Sequence, residues 1–215
     1  MKKPLTRVLA VLAGVIAGVL ISSALYAFTG FSLFGRLREK PLPADDAANA
    51  GLTEAAFTVL EYIRDEDYTA LSRVAHPELG IVFSPCATIK PSVNKCFRSE
   101  QIAVFGNDTN LYVWGISDSN GAPLEMTPVE YFSRFVYKKD YTAAPLIGVN
   151  YIVRSGNALE NIKDVFPDMQ FVEFHIPGSD SNPAGDSKWS SLRLGFEEYD
   201  GKLWLAVIAH SEWTA

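Results

Sequence analysis

The run 189–213, WSSLRLGFEEYDGKLWLAVIAHSEW, constrains the fold more than any other stretch of this chain. Two apolar, strand-like arms flank Asp200-Gly201, a dipeptide suited to the positive φ angles of a tight hairpin turn. The first arm sets Leu192, Leu194 and Phe196 on one face and Ser191, Arg193, Gly195 and Glu197 on the other. The second alternates Leu203, Leu205, Val207 and Ala209 against Trp204, Ala206, Ile208 and His210. Both faces of that second arm are largely apolar, so each needs cover. A lone hairpin is marginal in water, so the upstream chain must supply further strands and a covering layer.

A two-residue turn pairs Tyr199 with Lys202. Carried up the hairpin without interruption, that register sets Arg193 opposite Ile208 and His210 opposite Ser191. Arg193 and His210 then become diagonal neighbours on one face, about 7 Å apart at the backbone.

Upstream, Thr53 is placed to cap a helix through Arg64, with Ala56, Val59, Leu60 and Ile63 on its apolar face. Asp67 caps a second helix, which His76-Pro77 ends, because the residue before proline avoids the α region. Residues 81–83, 111–116 and 148–154 read as strands. The strand 170–176 alternates Phe171, Glu173 and His175 against Val172, Phe174 and Ile176. Thr127-Pro128-Val129-Glu130 opens a helix with a capping box and a proline at its first position, running to about Lys139. Asn157 with Glu160 repeats the capping pattern for a short helix ending at Phe166-Pro167. The order of elements predicts an α+β domain, N-terminal helices packed on a curved, mainly antiparallel sheet.

Residues 8–28, VLAVLAGVIAGVLISSALYAF, carry no charge and are long enough to cross a bilayer as a helix. Lys2, Lys3 and Arg7 before them favour a cytoplasmic N-terminus. Residues 1–40 thus read as a signal anchor with its flanks, or as a cleaved signal peptide with a site near Ala24 or Ala27. Either way the domain is exported: a single-pass protein of the inner membrane facing the periplasm, or a secreted one. Residues 41–52, PLPADDAANAGL, read as a tether, and 53–215 as one domain. Outside the first 40 residues, 13 basic and 24 acidic side chains give the domain a net charge near −11. Such a surface repels phosphate backbones, so nucleic acid is not an expected partner. Cys86 and Cys96 share one loop-like segment and are expected to form a disulfide, worth at most about 3 kcal/mol for so short a loop, the alternative being two free thiols.

The segment Asp67-Tyr68-Thr69-Ala70-Leu71 with His76-Pro77, and Tyr199-Asp200-Gly201-Lys202-Leu203-Trp204 near the end, resemble the nuclear transport factor 2-like superfamily. That resemblance spans residues 53–213 in outline and implies helices packed into a curved sheet to form a cone. The superfamily holds enzymes, ligand binders and partner binders, so the resemblance implies no single activity. The cysteine loop and the Thr127 helix make the middle of this chain longer than a minimal domain of that type. The phrases FSP, YVWG, FVY, GN, SLRL and IAHSEWT look like a family of uncharacterised exported bacterial proteins, which supplies no activity to carry over.

Candidate chemistry is sparse. No HExxH, GxSxG, CxxC or Gly-rich phosphate loop occurs, and no metal or cofactor is expected. Glu173 and His175, two apart on one strand face, suit an acid–base pair or a hydrogen-bonded sheet face. His76 reads as a helix C-cap. His210 is a candidate general base or a satisfied core histidine. Arg193 is a candidate anion clamp or half of an ion pair with Glu173 or Asp186. Trp189 and Trp213 flank the hairpin as candidate ligand contacts, and Asn150, Arg154, Asn157 and Asn161 can line a mouth. Two function classes follow. One is an exported binding or interaction module whose partner is a small ligand or an envelope protein. The other is an enzyme acting on a small or cell-wall-derived molecule, with His210 as base and Arg193 as clamp.

Overall fold

The computed structural model describes residues 44–117, 121–156, 158–178 and 188–213. The expected membrane segment at 8–28 lies outside the described residues, as does most of the polar loop before the hairpin. Among the described residues no helix is long and apolar enough to cross a membrane. Ala47–Ala215 form one compact unit.

The chain begins with α1 (Ala44–Arg64) and α2 (Tyr68–Arg73), then β1 (Ile81–Ser84), β2 (Lys95–Phe97) and the short α3 (Ser99–Ile102). A hairpin of β3 (Tyr112–Ile116) and β4 (Pro123–Met126) leads into α4 (Pro128–Tyr131), which continues as a π-helical turn over Phe132–Val136. There follow β5 (Leu146–Val149), α5 (Ile162–Val165), β6 (Gln170–Ile176), β7 (Ser190–Tyr199) and β8 (Lys202–Glu212). Six strands make one mixed sheet in the order β2-β1-β8-β7-β6-β5, with β1 parallel to β8 and every other neighbour antiparallel. The fold is α+β.

Asp200 and Gly201 both take positive φ, 56° and 72°, as a type I′ turn requires, and Tyr199 pairs with Lys202. The expected plain register holds only as far as Phe196↔Leu205; the next pair is Gly195↔Val207, with Ala206 as an extra residue. The cause lies on the outer edge of β8. There Leu205 N–H donates to Val74 O and its carbonyl accepts from His76 N–H, whereas two residues on, Val207 pairs with Val82 of β1. One β-bulge accommodates the change of partner and keeps two consecutive residues, Ala206 and Val207, on the same face.

Each face of the sheet is covered. Leu192, Leu194, Phe196, Leu205, Ile208, Val172 and Phe174 pack with Leu52, Ala56, Val59, Leu60 and Ile63 of α1. Phe57 meets Phe174 edge-on at 5.2 Å. On the other face Phe171, Met169, Ala206, Val207 and Ala209 pack against Ile89 and Ile162. Gly195 lies under that second layer: a Cβ there would stand 2.5 Å from Met169 Sδ.

Two of the expected helix caps form, whereas Thr53 lies inside its helix, and the expected cap Asn157 lies outside the described residues. Asp67 accepts from Ala70 N–H, and Thr127 and Glu130 form the expected capping box. Elsewhere boundaries shift, and one strand was unexpected. Helix α1 starts at Ala44 rather than after a tether, and Thr53 Oγ1 donates back to Asn49 O from inside it. Strand β5 ends at Val149 because Asn150 turns to φ 54°. Strand β4, PLEM, alternates over only four residues, with Leu124 and Met126 turned inward, and was not expected as a strand.

Candidate functional site

The bulge separates the two residues expected to work together. Arg193 pairs with Ala209, and His210 pairs with Leu192, so the two side chains lie on opposite faces of the sheet. They do not share a pocket, which corrects the diagonal placement drawn from an uninterrupted hairpin.

On the second face, Arg193 is buried and held by two carboxylates. Its Nε donates to Glu173 Oε2 at 2.8 Å, Nη2 donates to Glu160 Oε1 at 2.8 Å, and Nη1 donates to Glu160 Oε2. Glu173, directly opposite Arg193 in register, also accepts from Val153 N–H at 3.3 Å and Arg154 N–H at 3.4 Å. Burial pushes the Glu160 carboxyl above its ordinary value, and Arg193 offsets that only in part. Burial also disfavours the charged form of Arg193, but Glu173 and Glu160 outweigh it and hold the guanidinium charged. Among the described residues, then, the candidate clamp is an ion triad. Glu160 was read as a capping residue; its approach to Arg193 across the sheet leaves no local signal. Asp186 lies outside the described residues.

His175 shares that face, its Nδ1 2.8 Å from Ser191 Oγ and its ring 5.7 Å from Trp189. Glu173 and His175 therefore each face a β7 partner rather than each other. Of the two candidate ligand contacts flanking the hairpin, Trp189 is buried and Trp213 is exposed at 39 %. Asn150 Oδ1 accepts from Phe171 N–H, and Asn161 bridges to Ile89, so both have structural partners. A hollow of about 150 Å³ beside Glu160, Lys163 and Asp164 opens near this layer. His76 caps no helix. Its Nδ1 accepts from Glu78 and Leu79 N–H, fixing the turn into β1.

The other cavity, about 120 Å³, sits where the parallel strands β1 and β8 both end. Its walls include Cys86, Ser117, Arg134, Phe135, Ser211 and Glu212. The π-helical turn brings Arg134 and Phe135 to it, and such turns recur at functional sites. Arg134 Nη2 donates to Glu212 Oε1 at 2.8 Å, and Lys138 Nζ donates to Glu212 Oε2. Burial opposes ionisation of Glu212, but the nearby His210 ring and the hydrogen bonds from Arg134 and Lys138 prevail and hold its carboxyl far below the usual range. Behind Phe135 lies His210, 1 % exposed, with Nε2 3.5 Å from Glu212 Oε2 and neither ring nitrogen in a well-formed hydrogen bond. Burial drives the imidazole towards its neutral form, and Glu212 offsets that only in part. Arg134 and Lys138 left no signal in the sequence, where they read as the solvent side of an ordinary helix.

The expected disulfide is absent. The two cysteines are not bonded to each other: Cys86 Sγ lies 3.5 Å from Thr88 O, and Cys96 Sγ lies 2.9 Å from Leu79 O. Cys96 is exposed on β2, opposite Val82, while Cys86 belongs to the cavity wall. The segment between them folds as its own turn, with Asn94 Oδ1 accepting from Lys90 N–H at 2.6 Å. Among the described residues no cluster of His, Cys, Asp or Glu is set to hold a metal. No family model, curated protein or solved structure matches this chain.

Proposed function

We propose that this chain is an exported binding or interaction module, anchored in the inner membrane by residues 8–28 with its domain on the periplasmic side. One observation carries the reading. The cation expected to act on a substrate, Arg193, is committed to Glu173 and Glu160. The two cavities described above, about 120 and 150 Å³, are each smaller than the roughly 300–1,000 Å³ typical of drug-sized ligand sites. The enzyme with His210 as base and Arg193 as clamp needs both in one pocket, and they face opposite ways. A cone of the nuclear transport factor 2-like type remains part of the proposal, supported by two N-terminal helices, a mixed sheet and the order of strands.

Crosslinking of the full chain in its own membrane, followed by mass spectrometry, tests the function. A reproducible envelope partner, or a ligand found by thermal shift, is the expected result; neither appearing would end the proposal. Exposed Cys96 serves as a topology reporter. A membrane-impermeant maleimide should label it in intact spheroplasts, and labelling only after lysis would reverse the orientation.

A further inference from the structure

Two cations converge on one carboxylate at the cavity between the ends of β1 and β8. Arg134 and Lys138 both bind Glu212, so this corner carries one surplus positive charge, and burial disfavours a further one on His210 behind them. It does so within a domain whose balance is strongly acidic. Arg134 is held in place as well as charged: its guanidinium carbon stands 4.5 Å from the centre of the Phe135 ring, which is itself cavity wall. Behind Phe135, buried Tyr131 Oη and His210 Nδ1 have no hydrogen-bond partner, and His210 Nε2 has only a long 3.5 Å approach to Glu212. Their rings lie 5.3 and 5.7 Å from that of Phe135. Native interiors seldom leave such groups unsatisfied unless water, an ion or a ligand belongs nearby.

The cavity's 120 Å³ is well above the roughly 10–15 Å³ that admits one water, and small enough to require a compact ligand. A planar guanidinium fork matches a carboxylate, which it can hold through two parallel hydrogen bonds. The single surplus charge matches a monoanion better than phosphate, which carries about 1.5 to 2 charges near neutral pH.

We propose that this cavity binds a small monocarboxylate, its carboxylate on Arg134 and its body against Phe135, Leu124 and Ile116. Glu212 then acts as an internal competitor for the same cation. The inference rests on the reading of the chain as a binding module and names the ligand class of one of its sites.

The experiment is calorimetric titration of the full chain, in detergent, with sodium lactate, lactamide and inorganic phosphate at matched ionic strength. Lactate should bind saturably and lactamide should not. Arg134→Gln should weaken lactate at least tenfold, and because the side chain is half exposed, an unchanged thermal melt verifies its fold. Glu212→Gln, which removes the competitor, should tighten lactate severalfold; Lys138→Gln should weaken it, less than Arg134→Gln does. A second readout uses Cys86 in the wall of the same cavity. In a Cys96→Ser background, lactate should slow alkylation of Cys86 over the same concentration range as it binds. Equal binding of lactate and lactamide, tighter binding of phosphate, or indifference to Arg134→Gln overturns the proposal. Failure of lactate alongside a crosslinked envelope partner overturns the carboxylate site alone and leaves the module reading standing.

Discussion

Arg193 donates to Glu173 and Glu160 through Nε, Nη1 and Nη2 from a position that is almost wholly buried. Arg193→Met leaves two carboxylates facing one another without their cation, and breaking a buried pair in this way costs about 3–5 kcal/mol. Urea denaturation should show that loss, and Glu173→Gln with Glu160→Gln in the same chain should recover part of it. A loss below about 1 kcal/mol would mean that the triad is not what orders this face. His210 gives a pH signature. Its folded pKa is lowered by burial, so below about pH 6.5 the unfolded chain binds the proton and the folded one does not. Stability should therefore fall as pH drops below 6.5, by at most about 1.4 kcal/mol per unit. Glu212, whose pKa is also depressed, adds a second loss as pH falls below its ordinary 4.5. Glu160, raised by burial, acts with the opposite sign, its contribution fading as pH rises above 4.5. The His210 step is thus read as the difference between the natural chain and His210→Leu, which should melt alike at pH 5.5 and 7 as far as this group is concerned. An unaltered pH profile in that variant would assign the acid sensitivity elsewhere.

Among the elements, those specified by neighbouring residues were legible in the sequence. The Asp200-Gly201 turn, the Asp67 cap, the Thr127–Glu130 capping box and the alternation of Gln170–Ile176 all depend on chemistry within a few positions. The bulge was not, because its cause sits on another segment: Val74 and His76 hold Leu205 from outside while β1 takes over at Val207. The same blindness misplaced His210 relative to Arg193, since one extra residue reverses every face beyond it. Deletions separate the two cases. Removing Ala206 leaves a plain ladder in which Val207 still meets Gly195 and His210 still meets Leu192. That variant should fold cooperatively with a loss of about 0.5–3 kcal/mol. Removing Ala209 forces a conflict: either His210 and Glu212 change faces, or the bulge closes and Val207 and Ile208 do. Thermal melts should show a cooperative transition for the first deletion and none for the second. Equal damage from both would mean that the outer partners, rather than the faces, set this strand.

At the scale of the whole molecule, the sheet carries two different coverings. The need for both was legible in the apolar faces of β8, but the identity of the second was not. Helix α1 announces itself by its apolar stripe, Ala56, Val59, Leu60 and Ile63. The other covering is mostly irregular chain, residues 150–156 and 158–169 with the one-turn α5 and the turn around Ile89, and no long apolar stripe marks it. It is held by side chains that bond to backbone across long sequence separations. Asn161 Oδ1 accepts from Ile89 N–H at 2.7 Å and its Nδ2 donates to Ile89 O at 2.9 Å, while Thr88 Oγ1 donates to Leu159 O at 2.8 Å. Glu160, next to Asn161, reaches Arg193 in the sheet beneath, so one short segment ties the two loops together and both to β7. Asn161→Leu removes two hydrogen bonds and leaves the buried N–H and C=O of Ile89 without them, at about 1–3 kcal/mol. Because the apolar layer on the α1 side shares none of these contacts, the damage should stay local. Hydrogen exchange should show the amides of Ile89 and of 150–166 opening faster, while those of β6, β7 and β8 keep their protection. A uniform loss across all strands would show instead that this covering and the helical layer unfold as one cooperative unit.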